Sequence, residues 1–222
     1  MQTTLNEERE AVAEFGCKLL KEDLTTGTGG NISVMGANQH IAMSPSGISY
    51  QDVSAADVPV VDLEGDVVSG SKKPSSETPM HLHLYRSRKD VNAVVHTHSP
   101  YATTFASLDE PIPASHYLVG FAGKKVPVTD YATFATNEIG KRAAETLGDE
   151  YDACLLQNHG SIAVGDSVDT AFENALMVEF VARIHYQARS IGDPVILPDK
   201  EIEHVRSKFK NSYGQANQDS EQ

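Results

Sequence analysis

His96 and His98 close the apolar, β-branched run Val91–Val95. Such a run suits a buried strand. Residues i and i+2 of a strand face the same way, with Cα atoms roughly 6.6 Å apart. Two imidazoles so placed can close on one ion, because Zn–N bonds are about 2.0–2.1 Å. Alone, the pair fits a metal site or two polar residues at a strand end. A third histidine shifts the balance. Gln157-Asn158-His159-Gly160 lies between the apolar runs Ala153–Leu156 and Ser161–Gly165, which reads as strand, tight turn, strand. Three imidazoles are a known ligand set for zinc, with a fourth position left for water or substrate. Glu77 supplies a carboxylate nearby in sequence. His81, four residues on, shares its helical face and either supports a ligand or packs. His40, His185 and His204 read as ordinary surface or helix residues.

The elements around these residues predict how they are held. Ser75 or Ser76 caps a helix that carries Glu77 in its first turn, with Pro79 early enough to be tolerated. Ser99-Pro100 caps a second helix and stops the strand behind His98. Asn6 caps a first helix, which ends before the glycine-rich loop Thr25–Asn31. Val58–Leu63 and Val67–Ser69 form a hairpin about Gly65. Val126–Val128 is a short edge strand. Thr136 opens a helix to Leu147, Ser167 opens the longest helix to about Ser190, and Asp199 starts a last one to about Phe209. Residues 211–222 form a polar tail.

The bulk numbers exclude several classes. With 40% hydrophobic residues the chain buries a sizeable core as one domain, residues 1–210. No run approaches the ~20 apolar residues of a membrane helix. The polar, acidic start is not a signal peptide, so the location expected is cytoplasmic. Cys17 and Cys154 read as reduced, buried small hydrophobes. A formal charge of −13 excludes nucleic acid and anionic membrane as partners. An anionic substrate must therefore be gripped locally. Thr25–Asn31, Ser44-Pro45-Ser46-Gly47 and Ser75-Ser76 all offer backbone N–H groups or hydroxyls, which suit an anion without a formal positive charge.

Taken in order, these segments carry a resemblance. Gly27-Thr28-Gly29-Gly30-Asn31-Ile32-Ser33, Ser44-Pro45-Ser46-Gly47-Ile48 and Pro74-Ser75-Ser76-Glu77 are followed by Val94-Val95-His96-Thr97-His98, Ile112–Tyr117, Gln157-Asn158-His159-Gly160 and Lys208–Gly214. The chain resembles the class II aldolase/adducin family, most closely its branch acting on L-fuculose 1-phosphate. The resemblance implies a three-layer α/β/α fold about a largely antiparallel sheet. It implies a Zn2+ ion on His96, His98, His159 and Glu77. It assigns Thr28, Asn31, Ser46, Gly47, Ser75 and Ser76 to the substrate phosphate, with Glu77, Tyr117 and Tyr213 catalytic. Tyr117 comes from the neighbouring subunit of a homotetramer with sites at its interfaces, and the tail's Tyr213 closes the site.

The activity so implied is reversible cleavage of a ketose 1-phosphate to dihydroxyacetone phosphate and an aldehyde such as L-lactaldehyde. The metal acts as a Lewis acid toward the enediolate. Glu77 serves as acid and base at its carbon. Thr97 between the histidines is common in sister branches: a pentulose phosphate 4-epimerase, a methylthioribulose 1-phosphate dehydratase and sugar-acid phosphate decarboxylases. Glu77 counts against the epimerase, which carries Asp there, and leaves the dehydratase open. Other classes fit less well. The intact ligand set argues against an adducin-like interaction module. The absence of repeated strand-helix units argues against a barrel hydrolase.

Overall fold

Eight short strands hydrogen-bond into one sheet in a computed structural model that describes residues 5–212. They are β1 (Asn31–Met35), β2 (Ile41–Met43), β3 (Val60–Val61), β4 (Val67–Ser69), β5 (Ala93–Thr97), β6 (Val128–Thr129), β7 (Ala153–Leu156) and β8 (Gly160–Gly165). Their order is β4-β3-β2-β1-β5-β8-β7-β6. Each neighbouring pair is antiparallel except β6 on β7. The helices are α1 (Asn6–Lys21), α2 (Thr78–Ser87), α3 (Pro100–Ser107), α4 (Asn137–Leu147), α5 (Val168–Ile191) and α6 (Asp199–Ser212).

The two-residue period of the strands divides the core in two. Val95, Leu155 and Ala163 face α1, α3 and α5, where Phe15, Phe105 and Val178 meet them. Val94, Cys154 and Ile162 face α2 and α4, against Met80, Leu84 and Leu147. The expected three-layer α/β/α architecture with a largely antiparallel sheet is the one found. Each fully buried Leu, Ile or Val in these layers contributes roughly 1.5–3 kcal/mol. Among the described residues, no helix is long and apolar enough to cross a membrane.

The middle of the sheet decides where the site sits. β5 pairs with β1 and β8 at once, placing Asn31 opposite His96 and His96 opposite Ile162. Pairing on both sides carries the strand past Val95, so His96 lies inside it and not at its end. Two glycines permit the close approach. Gly30, at φ 64°, would bring a Cβ to 2.8 Å from the His96 carbonyl oxygen, and at Gly160 a Cβ would stand 2.2 Å from that of Thr97. Any side chain there pushes a neighbouring backbone away from the histidines.

Several local expectations are corrected. Asn6 is the first residue of α1; Leu5, in left-handed conformation, precedes it. Glu77 lies just before α2, not in its first turn. The chain turns there because the Ser75 carbonyl accepts from both the N–H and the hydroxyl of Thr78. Thr136 precedes α4 but donates its hydroxyl to Thr133 O at 2.6 Å instead of capping. Ser167 does cap α5, accepting from the Thr170 N–H at 3.2 Å. α6 runs on to Ser212, past the expected end near Phe209. Both cysteines are free as expected, though Cys17 is only half-buried.

Candidate metal centre and substrate cleft

Three chain segments meet where the middle of the sheet ends. His96 stands on β5 with its Nδ1 2.8 Å from the Ser161 carbonyl oxygen. A carbonyl only accepts, so Nδ1 carries the proton and Nε2 is free to ligate. His98 follows just past the strand, its N–H bonded to Leu24 O at 3.0 Å. His159 sits in the tight turn between β7 and β8. That turn needs a left-handed residue, Asn158 at φ 56°, and is pinned to α3 by the Asn158 N–H on Ala106 O at 3.0 Å. Glu77 enters from the start of α2.

The ligand atoms of Glu77, His96, His98 and His159 all lie within 4.8 Å of one another. His96 Nε2 is 2.9 Å from His98 Nε2 and 3.3 Å from Glu77 Oε2. His159 Nε2 is 3.4 Å from Glu77 Oε1. A tetrahedral zinc site with bonds near 2.0–2.1 Å has ligand atoms roughly 3.3 Å apart. Glu77 Oε1 is buried and accepts no hydrogen bond. An acceptor left without a partner in a nest of imidazole nitrogens suits a cation, so the residues fit a metal ion.

The electrostatics agree. Burial would push the Glu77 carboxyl up, but His96, His159 and the Asn31 amide overcome it and hold it well below the usual carboxylate range. Burial opposes charge on His96, yet Glu77 and the Ser161 carbonyl raise it above an ordinary histidine. Burial, with His96 beside them, depresses both His98 and His159 to about 4. At neutral pH those two rings are uncharged ligands.

A cleft of about 440 Å³ opens beside this cluster. Thr28, Asn31, Ser46, Gly47, Ser75 and Ser76 all line it, together with Glu77, His98 and His159. Backbone bonds zip two of the loops: Ser46 N–H to Lys73 O at 2.8 Å and Ser75 N–H to Ser44 O at 2.9 Å. Among the described residues, no lysine or arginine lines the cleft. Lys72 turns away to Asp57, 3.7 Å off.

Tyr117 is not brought to this cleft. It lies in a 3-10 turn, 45% exposed, with its ring on His116 and Phe209. Tyr213 lies outside the described residues. Sequence reasoning missed Tyr131, Ala132 and Phe134, which also line the cleft. The signal was the side chain of Gln157, whose Oε1 accepts the Tyr131 N–H at 2.6 Å and ties that loop to the His159 turn. It also underread Asn31, which donates Nδ2–H to Glu77 Oε2 at 2.8 Å.

A fold of this kind around a three-histidine, one-glutamate cluster defines a metal-dependent lyase of the aldolase type. The chain belongs to the class II aldolase and adducin family, whose N-terminal domain model matches residues 10–186. It is 47% identical over 212 residues to a 5-deoxy-D-ribulose 1-phosphate aldolase of Bacillus thuringiensis serovar kurstaki, covering 95% of this chain and 99% of that one. It is 41% identical over 192 residues to a 5-methylthioribulose-1-phosphate/5-deoxyribulose-1-phosphate aldolase of Rhodospirillum rubrum, covering 86% and 85% of the two chains. A solved L-fuculose 1-phosphate aldolase superimposes with a TM-score of 0.88 at 42% identity, over 92% of this chain and 96% of that one.

Proposed function

We propose that the protein is a zinc-dependent aldolase that cleaves a deoxyketose 1-phosphate to dihydroxyacetone phosphate and a short aldehyde. 5-Deoxyribulose 1-phosphate, which yields acetaldehyde, and L-fuculose 1-phosphate, which yields L-lactaldehyde, are the leading substrates. The observation that carries the reading is the unpartnered Glu77 Oε1 among three imidazoles at the wall of a cleft lined by neutral, hydroxyl-rich loops. The two relatives with deoxyribulose in their names favour the smaller sugar.

His96, His98, His159 and Glu77 hold the ion. Bound there, zinc supplies a Lewis acid to the substrate's carbonyl and adjacent hydroxyl oxygens. Thr28, Asn31, Ser46, Gly47, Ser75 and Ser76 grip the phosphate remotely and so orient the bond that breaks. Their neutrality suits a chain of net charge −13, which provides no long-range attraction for an anion. Glu77 moves the proton at the carbon that loses its bond. The exposed rings of Tyr131 and Phe134 border the cleft and suit an apolar aldehyde end such as a methyl group. Tyr117 exchanges a proton at the aldehyde oxygen of a neighbouring subunit's site, and Tyr213 closes that site, in a cytoplasmic homotetramer. The surface position of Tyr117 supports that reading.

Turnover of L-fuculose, 5-deoxyribulose, ribulose and methylthioribulose 1-phosphates by the zinc-loaded protein tests the proposal. Release of triose phosphate that a chelator abolishes is expected, fastest from a 5-deoxy substrate. Consumption of substrate without triose phosphate would place the protein with the dehydratase or epimerase branch and overturn the aldolase reading of the site.

A further inference from the structure

Behind Glu77 runs an unbroken file of buried polar groups, of which the chemistry above uses only Asn31. Asn31 Nδ2 lies 2.8 Å from Glu77 Oε2, and Asn31 Oδ1 lies 2.5 Å from His81 Nε2. His81 Nδ1 lies 2.7 Å from Ser33 Oγ, which lies 2.7 Å from the Tyr85 hydroxyl. Tyr85, Ser33 and His81 are at most 1% exposed, and Asn31 is 4% exposed. Two elements build the file. β1 presents Asn31 and Ser33 on one face, two residues apart, and α2 presents His81 and Tyr85 on one face, four apart.

Elementary hydrogen-bond chemistry leaves one arrangement of protons. A carboxylate only accepts, so the Asn31 nitrogen faces Glu77 and its carbonyl oxygen faces His81. That oxygen only accepts, so His81 Nε2 carries a proton. Burial holds the His81 pKa at about 3, so the ring is neutral and Nδ1 is bare. Ser33 must then donate to Nδ1, and Tyr85 must donate to Ser33. Every bond in the file points toward Glu77. Cooperative polarisation along such a file strengthens each bond.

We propose that Tyr85, Ser33 and His81 are positioning residues that lock the Asn31 amide onto Glu77 Oε2, and that this lock leaves Oε1 as the oxygen presented to the metal. The proposal rests on the reading of Glu77 as a zinc ligand. The local structure makes a lock necessary. Glu77 sits outside the first turn of α2, and the Asn31 amide is, beside the imidazoles, the hydrogen-bonding partner of its carboxylate among the described residues. The amide engages one oxygen while the other has no hydrogen bond. An imidazole fixed at both nitrogens cannot let that amide flip.

Zinc affinity, read by competition with a chromophoric chelator, tests the lock apart from turnover. His81→Phe and Asn31→Ala are each expected to weaken zinc binding roughly 10- to 100-fold. The double variant is expected to lose no more than the worse single one, since His81 acts through Asn31. His81→Gln keeps an N–H for the Asn31 oxygen and should recover part of the affinity. Tyr85→Phe, which removes one hydroxyl at the far end, should weaken binding a few-fold, and it decides the matter if His81→Phe fails to fold. Additive losses in the double variant, or parental affinity in a folded His81→Phe or Tyr85→Phe protein, overturn the proposal and leave the aldolase reading intact. Zinc affinities that follow the cycle in a protein without triose phosphate release would sink the aldolase reading alone. A parent protein that binds no zinc removes both.

Discussion

Two charged clusters among the described residues, one around Arg88 and one around Glu77, are finished differently. Around Arg88, every donor has a home. Nε and one Nη donate to the two Asp90 carboxylate oxygens at 2.8 and 2.6 Å, and the other Nη donates to Gly148 O and Tyr151 O, both at 3.0 Å. Asp152 accepts from Arg88 at 3.3 Å and from Arg206 at 2.9 Å, and Arg206 also reaches Gly120 O at 2.8 Å. This cluster ties the C-terminal end of α2 and α6 to the segment before β7, and every Arg88 N–H within it is bonded. Around Glu77, by contrast, the charge is buried, one oxygen has no hydrogen bond, and two imidazoles are neutral. Satisfied ion clusters stabilise a fold. A cluster left one cation short is built to receive one.

Substitutions should separate the two most sharply at the candidate metal ligands. His96→Ala should lose zinc and with it turnover, whereas Glu77→Gln should still load zinc at saturating metal, though with weakened affinity, while turnover falls roughly 10²- to 10⁴-fold. Metal content by atomic absorption beside triose phosphate release checks both. Stoichiometric zinc on His96→Ala, or parental turnover by Glu77→Gln, would erase the distinction drawn here.

Arg88→Met should do the reverse. It leaves Asp152 and two backbone carbonyls short of donors and should cost roughly 3 kcal/mol of stability. Zinc stoichiometry and kcat of the folded protein should stay at parental values. Chemical denaturation with parallel kinetics checks it; a large fall in kcat would mean that the Arg88 cluster reaches the site.

The pH dependence is spread over several units and is the most gradual of these effects. His81 is depressed to about 3 by burial, so between an unfolded value near 6.5 and that folded value the unfolded chain binds the extra proton. Its contribution is present above pH 6.5 and is lost as pH falls toward 3. His98 and His159, at about 4, act in the same direction in metal-free protein. Thermal unfolding of the metal-free protein should therefore show Tm falling from pH 6.5 to 4, less steeply in His81→Phe. An equal slope in the two proteins would mean that His81 takes up its proton while folded.

Much of the site was legible because its chemistry is local in sequence. His-x-His on a strand, a histidine in a strand-turn-strand unit and three runs of small hydroxylated residues each follow from spacing alone. The errors share one cause. Helix starts were misplaced at Asn6 and Glu77 because capping depends on what else the side chain or turn can bond, as with Thr136 and Thr133. Tyr131 and Phe134 were passed over because a loop reaches a cleft through one bond from Gln157, and single long-range bonds leave no period.

By itself, the sequence determined the candidate ligand types, the His-x-His pair at the end of a strand and the alternation that splits the core into two layers, since these depend on residue chemistry and two-residue spacing. The tertiary structure decided that β5 lies between β1 and β8. That neighbourhood sets Asn31 beside His96 and lets the turn before α2 put Glu77, 46 residues away in sequence from Asn31, against both. Which buried oxygen is left without a hydrogen bond is a property of that packing. No residue type specifies it, because it depends on what every neighbouring donor is already bonded to.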